Sequence, residues 1–193
     1  FFNDTATTEI YTRTYTLSHT TLFRSLAGGL HATLTLVRNR RHRPRTRAEP
    51  DARGLVLSYL IDTNVLSELR RKSPDPGVVA WFSQRPPTTL HLSVLTLGEI
   101  RKGIEGVGDE VRKQTLIDWL ETDLPTFFTG RILDINGAVA DRWGRLVAAA
   151  GRPLPTIDSL LAATALEHDL VLVTRNTKDF AGLPVEVFNP WNQ

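Results

Sequence analysis

From Tyr59 onward, short runs rich in β-branched and aliphatic residues alternate with stretches in which apolar residues recur at helical spacing. The runs at 59–61, 90–94, 131–135, 170–174 and 185–188 predict strands. Helices are predicted over 64–71, 96–104, 109–121, 136–150 and 157–168. A further short one is entered at Asp75-Pro76, where proline suits the first turn, and Pro86-Pro87 limits its extension. In the stretch 136–150, closed by Gly151, the residues Val139, Trp143, Leu146, Val147 and Ala150 share one face, which is expected to pack on the sheet. Alternation of this kind predicts an α/β fold with a mostly parallel central sheet flanked by helices. In such folds ligands gather outside the carboxyl ends of the strands.

Charge divides the chain at the same place. Residues 1–58 hold nine arginines, no lysine and four acids, whereas the rest holds fourteen basic and seventeen acidic residues. The basic pI of about 9.2 therefore belongs to the leader. Six arginines fall within residues 38–47, ten threonines fall within the first 35 residues, and only 34–37 has the pattern of a strand. Low apolar periodicity with high charge predicts little packed structure there. As a functional element the arginine run would be a salt-sensitive RNA-binding arm. The opening FFNDTATTEIYT, however, resembles the conceptual translation of a sequencing adaptor, and the sequence contains no methionine. The expectation is that residues 1–55 are a non-native or disordered leader, that the gene starts at Val56 or Leu57, and that residues 56–193 form the domain.

Composition narrows the chemistry. With no cysteine, a disulfide framework, a thiol nucleophile and a Cys-ligated zinc site are excluded, which fits a cytoplasmic, reducing compartment. The longest apolar runs fall far short of the roughly 20 residues that span a bilayer, so a membrane location is not expected. His91 and His168 are scattered and show no HExxH spacing, and no P-loop, GxGxxG or GxSxG is present.

Four acids lie where strands end or helices begin. Asp62 ends the first strand, Glu99 is expected in the first turn of the helix after the second, Asp158 opens the helix over 157–168, and Asp179 follows the strand over 170–174. Each has a plain structural alternative. Asp62 could cap a helix, Glu99 could close a capping box with Thr96, Asp158 could complement a helix dipole, and Asp179 could stabilise a turn. Four carboxylates on one edge of one sheet would nevertheless repel one another and raise their pKa values unless a cation joined them. Mg²⁺ and Mn²⁺ suit such oxygen ligands. Asp141, placed opposite the apolar face of its helix, is expected to point to solvent.

These residues carry a family resemblance. YLIDTNVLSEL, SVLTLGEIRKGIE, PTIDSLLAATALEHDLVLVTRNTKDF and the terminal VFNPW resemble, in that order and over about residues 58–193, the PIN-domain family and in particular its VapC-like and FitB-like toxins. The resemblance implies a PIN-like fold and a type II toxin that hydrolyses RNA with Mg²⁺ or Mn²⁺, leaving 5′-phosphate and 3′-hydroxyl ends. It places the metal-binding and catalytic quartet on Asp62, Glu99, Asp158 and Asp179, with polar support from Thr63, Thr174 and Asn176. Arg71, Lys72, Arg101, Lys102, Arg152 and Arg175 are candidate contacts to the RNA backbone, with solvated surface charge as the alternative for each.

The partners implied are a tRNA or rRNA substrate, a second copy of the chain, and a cognate VapB-like antitoxin that could plug the acidic site with a basic side chain. Val78, Val79, Trp81 and Phe82 are candidate apolar docking residues for that antitoxin, with core packing as the competing reading. Two other functions remain open at this point. One is a non-catalytic PIN-like interaction module. The other is an aspartyl-phosphate phosphatase of the haloacid-dehalogenase type, which would require a second Asp where Asn64 stands.

Overall fold

The computed structural model describes residues 57–192. The leader expected over 1–55, with its arginine run, lies outside the described residues. Five strands form one parallel sheet: β1 (Tyr59–Ile61), β2 (Leu90–Ser93), β3 (Ile132–Leu133), β4 (Val171–Val173) and β5 (Val187–Phe188). Their spatial order is β3-β2-β1-β4-β5. The first three strands grow outward from β1 on one side, and the last two on the other. The change of direction lies between β1 and β4, where Tyr59, Leu60 and Ile61 pair with Val171, Leu172 and Val173. That is the topological position at which open parallel sheets leave a crevice for ligands.

The described residues include seven α-helices: α1 (Thr63–Leu69), α2 (Pro76–Ser83), α3 (Val94–Glu105), α4 (Glu110–Asp118), α5 (Leu124–Phe127), α6 (Gly137–Ala150) and α7 (Thr156–Glu167). None of them is long and apolar enough to cross a membrane. Strand side chains alternate between two cores, as the period of two requires. Tyr59, Ile61, Leu90, Leu92, Val171 and Val173 meet α1, α2, α3 and the α4–α5 region on one face. Leu60 and Leu172 meet α6 and α7 on the other. Each fully buried leucine here removes enough apolar surface from water to contribute about 2 kcal/mol.

The structure changes several of the sequence expectations. Trp81, Val78 and Phe82 are buried in the first core, so α2 does not offer them as a docking surface. Trp81 packs edge-on against Tyr59 and stacks with Phe188, which makes it a link between α2 and two strands. The apolar face of α6 packs chiefly on α7 rather than directly on the sheet. Trp143 Nε1 donates to Ser159 Oγ of α7 at 2.9 Å, and α7 in turn lies on β4. This explains why α7 is apolar nearly all round: it is enclosed between α6 and the sheet.

The helix expected over 109–121 continues through a π-helical turn at Trp119–Asp123 into α5. Pro125 lacks the N–H that would extend the α-helical ladder, and Leu124 N–H instead reaches Trp119 O. The wider turn keeps Trp119, Leu120 and Leu124 all buried. Asp141 is exposed and pairs with Arg145 at 2.9 Å, as expected of a solvent-facing residue.

Candidate active site

The carboxyl edges of β1 and β4 are joined by side chains. Asp62 N–H donates to Val173 O at 3.0 Å, which carries the ladder one residue past β1 and fixes where the carboxylate emerges. Its Oδ1 caps α1 by accepting from Thr63 N–H at 2.6 Å, and its Oδ2 accepts from Thr174 Oγ1 at 2.6 Å. The structural alternative for Asp62, a helix cap, is thus realised together with its place in the site.

Asn64 completes this junction. Its Nδ2 donates to Asp62 Oδ2 at 2.5 Å and to Thr174 Oγ1 at 2.8 Å, while its Oδ1 accepts from Arg175 N–H at 3.1 Å. The residue that a phosphatase would need as aspartate is here the amide that ties the two strand ends together.

Glu99 departs from its expected position. α3 begins at Val94, directly after β2, with Ser93 Oγ accepting from Leu95 N–H at 3.2 Å. No capping box forms between Thr96 and Glu99, because Ser93 already caps the helix and Glu99 falls beyond the first turn. Glu99 Oε2 instead accepts from Thr63 Oγ1 at 2.6 Å, which brings α3 to the edge of β1. Asp158 lies in the first turn of α7, and Asp179 in a 3₁₀ turn at Thr177–Phe180 after β4, where Asn176 Nδ2 donates to it.

Electrostatics couple Asp158 to the other three acids. Burial, then the charges of Asp179, Asp62 and Glu99, and a hydrogen bond with Asp179 push the Asp158 carboxyl up to about 6. Asp62, only 8 % exposed, is also raised, chiefly by burial, against which the hydrogen bonds from Thr174, Thr63 and Asn64 act.

A cavity of about 410 Å³ opens over this edge, lined among others by Asp62, Thr63, Glu99, Asp158 and Asn176. Its donors are oxygens, the chemistry that hard divalent ions take. Among the described residues, no three acidic or histidine side chains stand at positions that close on one ion. Glu99 Oε2 is taken by Thr63 and Asp179 Oδ2 by Asn176, while Asp179 also reaches Asp158.

Of the candidate RNA contacts, Arg71 and Arg175 line the cavity, whereas Lys72, Arg101, Lys102 and Arg152 do not. Arg101 pairs with Glu121 at 2.5 Å, and Arg152 donates to Ala181 O at 3.0 Å. The cavity also includes Asn64, Ser67, Glu68 and Trp191, which the sequence reading had not assigned to the site. Asn64, Ser67, Glu68 and Arg71 recur at the i, i+3, i+4, i+7 spacing of one helix face, and that polar stripe was the available signal. Glu68 is buried, pairs with Arg71 at 3.2 Å and accepts from Asp75 N–H at 3.0 Å.

A parallel sheet in this order, with acids from four separate segments at its carboxyl edge, defines a class of α/β protein built to gather negative charge at a crevice. The chain belongs to the PIN-domain family, whose model matches residues 59–185. Toxin FitB of Neisseria gonorrhoeae is 36% identical over 136 residues, which cover 69% of this chain and 98% of that protein. The crystal structure of FitAcB from the same organism superposes with a TM-score of 0.66 at 35% identity, covering 70% and 99% of the two chains. A VapC ribonuclease of Sinorhizobium fredii, Y4jK, is 32% identical over 68% of this chain and 96% of its own length. A toxin–antitoxin complex from Klebsiella pneumoniae superposes with a TM-score of 0.52 at 32% identity, over 69% of this chain and 98% of that one. The resemblance read from the sequence is borne out.

Proposed function

We propose that the chain is a metal-dependent endoribonuclease toxin that hydrolyses RNA phosphodiester bonds and is held inactive by a cognate antitoxin. The observation that carries this reading is the gathering of Asp62, Glu99 and Asp158 around one cavity, with Asp179 hydrogen-bonded to Asp158 and the Asp158 carboxyl raised to about 6 by burial and by the other three. A nuclease and a toxin among the relatives support it.

Asp62, Glu99, Asp158 and Asp179 would hold Mg²⁺ or Mn²⁺. Such an ion supplies Lewis acidity toward a phosphodiester and a water. Thr63, Thr174 and Asn176 fix carboxylate rotamers through the hydrogen bonds described above, and Asn64 sets Asp62 against Thr174. This preorganisation keeps the acids from rearranging as charge develops on the phosphate. Arg71 and Arg175, on the rim, would offset the repulsion between the acids and an incoming anionic strand.

The test is cleavage of RNA with Mg²⁺ or Mn²⁺, compared with Asp158→Asn. That variant keeps the size of the side chain and removes a charge, so cleavage should fall at least about a hundredfold with the far-ultraviolet circular dichroism unchanged. Full activity in Asp158→Asn would overturn the assignment of the quartet.

A non-catalytic interaction module is the second reading, favoured by the absence of three converging ligands among the described residues. A chain that cleaves no RNA with either ion would establish it. Inhibition is tested by co-expression with an adjacent small reading frame, if the gene has one; a stable complex with suppressed cleavage is expected, and a neighbour that neither binds nor inhibits would sink the pairing. We further propose that the toxin acts as a homodimer, a state that sedimentation would measure directly.

A further inference from the structure

Arg175 and Trp191 line the cavity beside the acids, yet neither belongs to the acid cluster. Arg175 follows Thr174 directly, so the strand end that delivers Thr174 to Asp62 also delivers the arginine. Its N–H is held by Asn64 Oδ1 at 3.1 Å, and its carbonyl accepts from Asn189 Nδ2 at 3.5 Å. Asn189 Oδ1 accepts from Trp191 N–H at 2.9 Å, which links the tryptophan's backbone to the same segment. The guanidinium carbon lies over the Trp191 ring, 5.5 Å from its centroid.

Charge makes this arrangement informative. Asp62, Glu99 and Asp158 share the cavity with Arg175, but among the described residues its side chain makes no ion pair. Arg71, the other arginine of the cavity, is tied to buried Glu68. A guanidinium laid on an aromatic face keeps its in-plane N–H donors available, and their fork matches two oxygens of a phosphate. Long cationic side chains lose rotamer entropy when they bind, and a ring that already holds the side chain reduces that loss.

We infer that Trp191 is a positioning residue that holds Arg175 at the cavity as a phosphate clamp for single-stranded RNA, gripping a phosphate that neighbours the one presented to the acids. The inference rests on the ribonuclease reading and adds to it the element that registers the strand. Asn64 joins the two parts, because one amide contacts both Asp62 and the backbone of Arg175.

The experiment is titration of a short fluorescent oligouridylate with the full chain in EDTA, at several potassium chloride concentrations, beside cleavage assays in Mn²⁺. Arg175→Ala should bind about five- to tenfold more weakly, the size expected for one lost charge-assisted contact. Its plot of log affinity against log salt should be shallower by about 0.7, the value for one phosphate on a single strand. Trp191→Leu keeps apolar packing but loses the ring, and should shift affinity and slope in the same direction. Trp191→Phe should restore both. Wild-type slopes in Arg175→Ala and Trp191→Leu would overturn the clamp, as would a Trp191→Leu variant that loses only melting temperature, or a wild-type chain that binds no RNA at low salt. Binding of the expected form without any cleavage would instead sink the ribonuclease reading and leave the clamp standing.

Discussion

At the scale of the residue, Asp158 reports the condition of the whole site. Its carboxyl is raised from 3.8 to about 6, first by burial and then by its acidic neighbours, so the folded chain holds that proton more tightly than the unfolded chain does. The stability it lends is full below its unfolded value and is lost as pH rises through about 6. Asp62, raised mainly by burial, acts in the same sense. His91 acts in the opposite one: burial lowers its pKa, so its contribution is present above its ordinary 6.5 and is lost on acidification. Comparison with Asp158→Asn separates these groups. In metal-free protein, the melting temperature of the wild type should fall relative to the variant as pH rises from roughly 5 to roughly 7.5. Parallel curves would mean that the Asp158 carboxyl is not raised in the folded chain. With Mn²⁺ limiting, the concentration needed for half-maximal cleavage should rise as pH drops, since protons then compete with the metal for the same oxygens.

At the scale of the element, the placement of α7 decides where Asp158 stands, and Gly151 decides how the chain reaches α7. α6 ends at Gly151 with φ of 64°, the left-handed conformation that closes helices and that side chains resist. A β-carbon there would meet no neighbour within 4 Å, so the penalty for substitution is one of backbone conformation rather than collision. Gly151→Ala should therefore lower stability by about 1 kcal/mol, read by urea denaturation, while cleavage at a temperature well below melting stays close to wild type. A large loss of cleavage without a loss of stability would show that the α6–α7 turn takes part in the site. The α4–α5 region makes a related point. Pro125 forces a π-helical turn, and that turn is what lets Trp119 and Leu124 both reach the core.

At the scale of the whole molecule, the described residues 57–192 include a five-stranded sheet, two cores and the candidate site. The match to FitB of Neisseria gonorrhoeae spans 136 residues and 98% of that protein, so a chain of about this length suffices for one member of the family. A polypeptide of residues 57–193 with an initiating methionine should match the full sequence in melting temperature and in Mn²⁺-dependent cleavage. A marked loss of RNA affinity on truncation would show that the arginines of residues 38–47 act as a binding arm, and the loss should then shrink as salt is raised.

The sequence by itself determined the local units. Short runs of β-branched and aliphatic residues marked all five strands, helical spacing marked the main helices, and acids at strand exits or helix starts marked Asp62, Asp158 and Asp179, because each of these signals depends on neighbours a few residues away. Glu99 was marked as an acid of the site but expected in the first turn of a helix starting at Thr96, whereas in the folded chain Ser93 caps that helix and Glu99 falls beyond its first turn. Tertiary structure alone decided the rest. The burial of Trp81 depends on Tyr59 and Phe188, and the packing of α6 on α7 depends on which face of the sheet α7 covers first. The junction at Asn64 joins residues 110 and 111 positions apart, and a contact of that reach leaves no periodic trace in the sequence. Such pairs exist only once parallel β1 and β4 lie side by side, since the strand order that makes them neighbours is a property of the folded sheet.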